Sequence, residues 1–200
     1  MTEIRYLAPQ TLDEAIGAFA TAGSAARILA GGTDLLVQMR AGIVRPGLIV
    51  DIKKIAEMTA IEETADGGFR IGAAVSGMAL AEHPRFRKVW PGVLEAVNLI
   101  GSKQVQGRAS AGGNLCNGSP AGDSVPAMVA AGAVVTVQGP NGRREIPVEQ
   151  VPVGPGRTSL KPGEILVSFA LPPRPSGVVG LAQKFHRLAI DGGSDVDFCH

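Results

Sequence analysis

Cysteine is nearly absent from this 200-residue chain: Cys116 and Cys199 are its whole complement. Two thiols make no disulfide framework, and they cannot hold an iron–sulfur cluster, which takes four. Aromatic residues amount to only 4%, too few for the stacking platforms that grip single-stranded nucleic acid. The formal net charge is +1, so there is no basic footprint for a phosphate backbone either. No apolar run approaches the ~20 residues that a bilayer-spanning helix needs. The opening Met1-Thr2-Glu3-Ile4-Arg5-Tyr6 lacks the apolar core of a secretory signal. His83, His186 and His200 have no metal-ligand spacing among themselves or with the cysteines, so no zinc centre is expected. These absences predict a cytoplasmic protein with no nucleic-acid partner and no membrane span.

What is present is apolar content of 45% with 18% charged residues, the balance of an ordinary globular chain. A chain of this length can bury a substantial core, as one large unit or two small ones. Glycine is the compositional oddity, at 27 residues. Six of these fall in two segments that read as loops. One is Ala30-Gly31-Gly32-Thr33-Asp34. The other is Ser110-Ala111-Gly112-Gly113-Asn114, running on to Ser119-Pro120-Ala121-Gly122-Asp123.

The first third of the chain reads as a small α/β unit. Thr11-Leu12-Asp13-Glu14 fits a capping box, with Leu12, Ala15, Ile16, Phe19 and Ala20 on one helical face and Gly23 as the stop. Residues 26–30 read as a buried strand entering the first glycine segment. A helix is expected over 34–41 and a second buried strand over 48–52. From Thr59 the texture changes to alternation. Residues 59–64 and 69–75 flank Ala65-Asp66-Gly67-Gly68, a hairpin signal. Helices are expected near 78–82, 91–100 and 125–131. Residues 134–138 and 143–147 bracket a second hairpin turn, Gly139-Pro140-Asn141-Gly142. Further strands are expected over 164–171 and 180–187, with a turn at Pro172-Pro173-Arg174-Pro175 between them. The predicted class is α+β. The expected divisions are residues 1–55, residues 56–178, and residues 179–200 as a last strand and the start of a further region.

Both glycine segments carry chemistry. Without a Cβ, Gly31 and Gly32 let backbone N–H groups come close to an anion, and a helix starting near Asp34 adds partial positive charge. The bland alternative is a strand–turn–helix link with Asp34 as its N-cap. In the second segment, Gly112 and Gly113 again permit close approach. Asn114, Asn117 and Ser119 supply polar side chains, and Pro120 fixes the path. Asp123 would cap the next helix or accept from a ribose hydroxyl, since an acid beside a phosphate is repelled. Two such segments, far apart in sequence, point to a diphosphate gripped from two sides.

The runs Leu29-Ala30-Gly31-Gly32-Thr33-Asp34-Leu35-Leu36 and Ser110-Ala111-Gly112-Gly113-Asn114-Leu115, with Pro120 and Asp123, resemble the two FAD signatures of the molybdenum hydroxylase flavoprotein family. These are the medium subunits of xanthine dehydrogenase-like and carbon monoxide dehydrogenase-like enzymes. Gly163-Glu164-Ile165-Leu166 and Lys184-Phe185-His186-Arg187 are similar to that family's later strands. The resemblance implies a two-subdomain FAD-binding fold of the PCMH type and non-covalent FAD. Leu29 to Leu35 would form one wall of the pyrophosphate site. Ser110, Gly112, Gly113, Asn114, Asn117, Ser119 and Asp123 would form the other wall and the ribitol and ribose contacts. Leu166 and Lys184 would lie near the flavin ring, where Lys184 either stabilises negative charge on the reduced ring or is a solvated lysine. No catalytic side chain and no metal ligand is expected in this chain. The molybdenum cofactor and the iron–sulfur clusters would sit on a molybdopterin-binding large subunit and an iron–sulfur small subunit, with NAD or another acceptor taking the electrons.

Three departures from the family pattern stand out. Ser110 replaces a threonine, Gln106-Gly107-Arg108 replaces a more basic stretch, and the ending after Asp191 does not resemble the family's continuation into a third subdomain. The last of these raises the alternative of a truncated, non-catalytic product. A stand-alone flavin oxidase or reductase of the wider fold is the other alternative. Cys116 could in principle carry a flavin thioether, but it is expected to pack as a small buried residue.

Overall fold

The computed structural model describes residues 3–174. Strand β1 (Arg5–Leu7) leads to helix α1 (Leu12–Ala22). Thr11 Oγ1 accepts from the Glu14 N–H at 3.3 Å, and Gly23 ends the helix at a φ of 54°. The reciprocal half of the capping box falls one residue early: the Glu14 carboxylate accepts from the Gln10 N–H at 3.2 Å. Leu12, Ala15 and Ile16 are the buried face of this helix. Strand β2 (Ala26–Leu29), helix α2 (Leu35–Arg40) and strand β3 (Leu48–Asp51) complete the first unit. All four β3 residues are buried, and β3 lies parallel between β1 and β2. A continuous apolar run is what such a two-sided central strand requires.

After α3 (Ala56–Thr59) the sheet turns antiparallel. Strands β4 (Ile61–Glu63) and β5 (Phe69–Gly72) form the first predicted hairpin. Five helices follow: α4 (Gly77–Glu82), α5 (Pro84–Val89), α6 (Pro91–Asn98), α7 (Lys103–Gln106) and α8 (Ala111–Asn117). Helix α9 (Ser124–Ala130) then precedes the second hairpin, β6 (Val134–Gly139) with β7 (Gly142–Pro147). A small ribbon, β8 (Pro152–Gly154) with β9 (Arg157–Thr158), leads to β10 (Ile165–Leu171). The larger sheet has the order β4-β5-β10-β6-β7. Its central strand β10 is buried at every residue but Ala170, so this last described strand holds the sheet together from the middle.

His83 is structural. Its Nδ1 accepts from the Phe86 N–H at 3.1 Å and caps α5, and its ring packs edge-on to Phe69. Among the described residues no cluster of His, Cys, Asp or Glu could hold a metal ion. No described helix is long and apolar enough to cross a membrane.

The main correction concerns the second glycine segment, expected as a loop. Its first half is helix α8. Ser110 caps it, with Oγ accepting from the Gly113 N–H at 3.1 Å, and Gly118 closes it in the left-handed conformation. Glycine disfavours helix interiors, but tertiary packing overrides this here. A Cβ on Gly112 would lie 2.3 Å from the Ala73 carbonyl oxygen, so only glycine lets α8 press onto the strand end. Asp123 is not a side-chain cap for α9, because it makes no cap hydrogen bond. The strand expected over 180–187, with Lys184, lies outside the described residues.

Candidate functional site

The strand-to-helix turn between β2 and α2 holds the first glycine segment. Gly32 takes a φ of 77°, which a side chain would resist. The N–H groups of Gly31, Gly32, Thr33 and Asp34 donate to no protein acceptor among the described residues. With the Leu36 N–H donating to the Gly32 oxygen, the Thr33 and Asp34 donors are the usual orphans of a helix start, whereas those of Gly31 and Gly32 are left open by the turn itself. Asp34 sits at the N-cap position of α2 without a side-chain hydrogen bond. The bland reading of this segment as a capped link therefore loses its cap.

The carbonyl oxygens of Ala30 and Gly31, on the other side of the same turn, are both engaged by cationic side chains. Lys53 Nζ donates to the Ala30 oxygen at 2.9 Å and to Asp51 Oδ1 at 2.7 Å. The Tyr6 hydroxyl donates to Asp51 Oδ2 at 2.5 Å. Arg108 Nε donates to the Gly31 oxygen at 3.1 Å. Through Arg108 the first segment touches the approach to the second, and a Cβ on Gly31 would lie 2.0 Å from the Arg108 carbonyl oxygen. A second tie joins Gln38 Nε2 to Asn117 Oδ1 at 3.0 Å. The two segments, some eighty residues apart, are thus in direct contact.

They share one cleft of about 900 Å³. Ala30, Gly31, Gly32, Thr33, Asp34 and Leu35 line it from the first segment. Ser110, Gly112, Gly113, Asn114 and Asn117 line it from the second, and Leu166 lines it from β10. Three expected residues are not in the lining. Leu29 is buried behind the turn, with its Cδ1 against Gly32. Ser119 Oγ accepts from the Ala121 N–H at 3.2 Å, and Asp123 stands beyond the cleft wall. Cys116, expected to be buried, is exposed on α8 and lines the cleft. It falls on the polar side of that short helix, whereas Leu115 takes the core position.

Side-chain groups on this wall are partly taken up by contacts that hold the fold. Asn114 Oδ1 accepts from buried Ser124 Oγ at 2.7 Å, which ties α8 to α9, and the Asn114 amide nitrogen has no partner among the described residues. Gly113 is the roomy position. A Cβ there meets Ser110 Oγ at 3.3 Å and nothing else within 4 Å.

Sequence reasoning read Gly163-Glu164-Ile165-Leu166 as a strand and placed only Leu166 at the site; the structure adds a third wall, Lys161-Pro162-Gly163-Glu164, which turns into β10 and lines the cleft. Glu164 holds that turn. It accepts from the Lys161 N–H at 2.7 Å and takes a two-point contact from Arg144, Nε at 2.8 Å and Nη2 at 2.7 Å. No local signal marks Arg144: the hairpin register pairs it with Val137 on β6, and β6 separates β7 from β10. Lys53 could have been found as a cation two residues beyond a buried acid.

The acids of these two props titrate low. Burial works against ionisation of Asp51, but hydrogen bonds from Lys53 and Tyr6 outweigh it and hold the carboxyl below its ordinary value. The Arg144 contact does the same for Glu164, against its burial. A carboxyl with a lower pKa folded than unfolded contributes stability that is present above the unfolded pKa. That stability is lost as pH falls through the folded pKa. Unfolding free energy measured by denaturant titration is therefore expected to hold down to about pH 4 and to drop below it. Asp51→Asn should flatten part of that acid decline; an unchanged decline in the variant would show that Asp51 does not titrate as described.

The cleft fits a dinucleotide by volume, since small-molecule sites run from about 300 to 1,000 Å³. It fits by chemistry too, because unpaired N–H groups at a glycine turn are an anion cradle. Comparison with known proteins agrees. Residues 2–174 match the family described as the FAD binding domain in molybdopterin dehydrogenase. The xanthine dehydrogenase FAD-binding subunit of Escherichia coli O157:H7 is 37% identical over 177 residues, 88% of this chain and 60% of that protein. The carbon monoxide dehydrogenase medium chain of Hydrogenophaga pseudoflava is 32% identical over 186 residues, 93% of this chain and 64% of that one. The solved structure of reconstituted CO dehydrogenase from Oligotropha carboxidovorans superposes with a TM-score of 0.83 at 29% identity, covering 88% of this chain and 61% of that chain. The chain thus spans about 60% of the length of the relatives it matches. By fold, by glycine segments and by family match, this chain belongs to the FAD-binding domains of the molybdopterin dehydrogenases.

Proposed function

We propose that the chain is the FAD-binding part of an electron-transfer subunit in a multi-subunit molybdenum-containing dehydrogenase, with FAD held non-covalently in the cleft. The observation that carries this reading is the run of unpaired N–H groups from Gly31 to Asp34, sharing one cleft with the second glycine segment. In this reading the two lobes, divided near residue 55, close on the dinucleotide from opposite sides. The first turn takes the pyrophosphate through backbone donors and the Thr33 hydroxyl. Ser110, Gly113, Asn114 and Asn117 form the facing wall, and the apolar Leu166 lies against the ring system. Ser119 and Asp123, outside the lining, have no direct contact in this reading. FAD, when bound, supplies the redox chemistry, taking electrons from iron–sulfur clusters and giving them to NAD or another acceptor. The chain's own residues bind and orient it.

The partners in this reading are a molybdopterin-binding large subunit and an iron–sulfur small subunit, in the cytoplasm. The chain's two cysteines support that dependence. The test is purification of the full chain with FAD, then with candidate partner subunits, recording the visible flavin band and cluster content together. The chain should be yellow, should release its flavin on denaturation and filtration, and should not by itself turn over purines, aldehydes or carbon monoxide. A colourless product in saturating FAD defeats the cleft reading. Retained colour after denaturation would favour a covalent oxidase, and turnover by the chain alone would defeat the subunit reading.

A further inference from the structure

The first glycine turn is asymmetric: the Ala30 and Gly31 oxygens are held, and the Gly31 and Gly32 N–H groups have no acceptor among the described residues. The Ala30 oxygen accepts from Lys53 Nζ at 2.9 Å, and the Gly31 oxygen accepts from Arg108 Nε at 3.1 Å. No described peptide is cis. In a trans peptide the C=O and the following N–H point to opposite sides of the chain. Anchoring the Ala30 and Gly31 oxygens on two cations therefore directs the N–H groups of Gly31 and Gly32 away from those cations. These same N–H groups lack an acceptor among the described residues, and both glycines line the cleft.

We infer that Lys53 and Arg108 are positioning residues for the dinucleotide, orienting two successive peptides so that the turn presents its donors to the diphosphate. The two cations reach the turn from different lobes. Lys53 follows β3 and is set by Asp51, whose other oxygen is taken by Tyr6. Arg108 precedes α8 and comes from the side of the second segment. The clamp therefore closes only when the lobes are docked, which couples their docking to the preparation of the anion cradle. Neither side chain need touch the ligand. Their effect travels through the peptide planes, whose rotation would otherwise be free at a pair of glycines.

This inference rests on the placement of FAD in the cleft. The test is FAD titration of the full chain by fluorescence quenching, with the melting temperature recorded without FAD. Lys53→Met and Arg108→Met should each weaken FAD about tenfold, the loss expected for one charge-assisted hydrogen bond acting indirectly. The melting temperature of Arg108→Met should stay within about 2 °C, as its side chain reaches solvent. Lys53→Met takes a partner from the largely buried Asp51 carboxylate and should melt a few degrees lower. Lys53→Arg, which keeps a charged donor, should recover affinity to within about threefold of the parent. A merely structural role would move the melting temperature of Arg108→Met in step with affinity and would not single out the conservative variant. Parent-like affinity in both methionine variants overturns the clamp while leaving the cleft reading intact. So does a Lys53→Arg protein as weak as Lys53→Met. If the parent chain takes up no FAD, the cleft reading fails and the clamp fails with it. Arg108→Met, at an exposed position, keeps the test decisive should Lys53→Met not fold.

Discussion

Alanine at position 31 is expected to remove both the contact between the glycine segments and the bound flavin. The added Cβ would lie 2.0 Å from the Arg108 carbonyl oxygen and 2.6 Å from its carbon. Both atoms are backbone, so no side-chain rotation relieves the overlap, and the approach to α8 must move off the turn. That movement breaks the hydrogen bond from Arg108 Nε to the Gly31 oxygen and strains the tie between Gln38 and Asn117. Overpacking of this kind costs about 2–3 kcal/mol, which in a domain of this size lowers the melting temperature by about 5–10 °C. The purified variant should also be colourless, because the cradle depends on the same junction. Calorimetry beside flavin absorbance checks both halves. An alanine variant that is as stable and as yellow as the parent would mean that the two segments do not meet as described.

Gly113→Val is the complementary case, in which the ligand suffers and the fold does not. Its Cβ has only Ser110 Oγ close by, at 3.3 Å, and the remaining space is the cleft. Valine is a better helix former than glycine, which offsets the slight crowding of the cap. Two methyl groups would then stand where the dinucleotide must approach α8. FAD affinity should fall by more than about a hundredfold, or about 2.7 kcal/mol, with a melting temperature within about 2 °C of the parent. Full flavin occupancy in a folded valine variant would remove this wall from the binding site. Gly31 and Gly113 thus separate two reasons for a glycine, one facing protein and one facing the space reserved for a ligand.

Much of the fold could be read locally. The Thr11 cap, the apolar runs that became β2 and β3, and both hairpins follow from short-range patterns. Other elements carried no such pattern. Strand β1 is exposed at all three residues and exists because β3 offers it a parallel partner. Helix α8 contains two glycines and two asparagines and reads as a loop until Ser110 caps it and Ala73 packs against Gly112. Asp123 resembled a cap by position, yet its side chain makes no such bond. Of the props of the site, only the Lys53–Asp51 pair left a local sign; that Lys53 holds the Ala30 carbonyl, and that Arg144 reaches across β6 to Glu164, no motif records.

The amino-acid order alone determined the two glycine-rich segments and excluded a cluster held by four of this chain's own cysteines, because both follow from residue type: a missing Cβ, a missing thiol. The folded chain decided that the segments meet, which glycines face protein rather than open space, and which cations hold the turn. Those are facts of through-space contact between residues as much as eighty positions apart. No local propensity encodes them, since each depends on where the packing of two sheets brings the backbone.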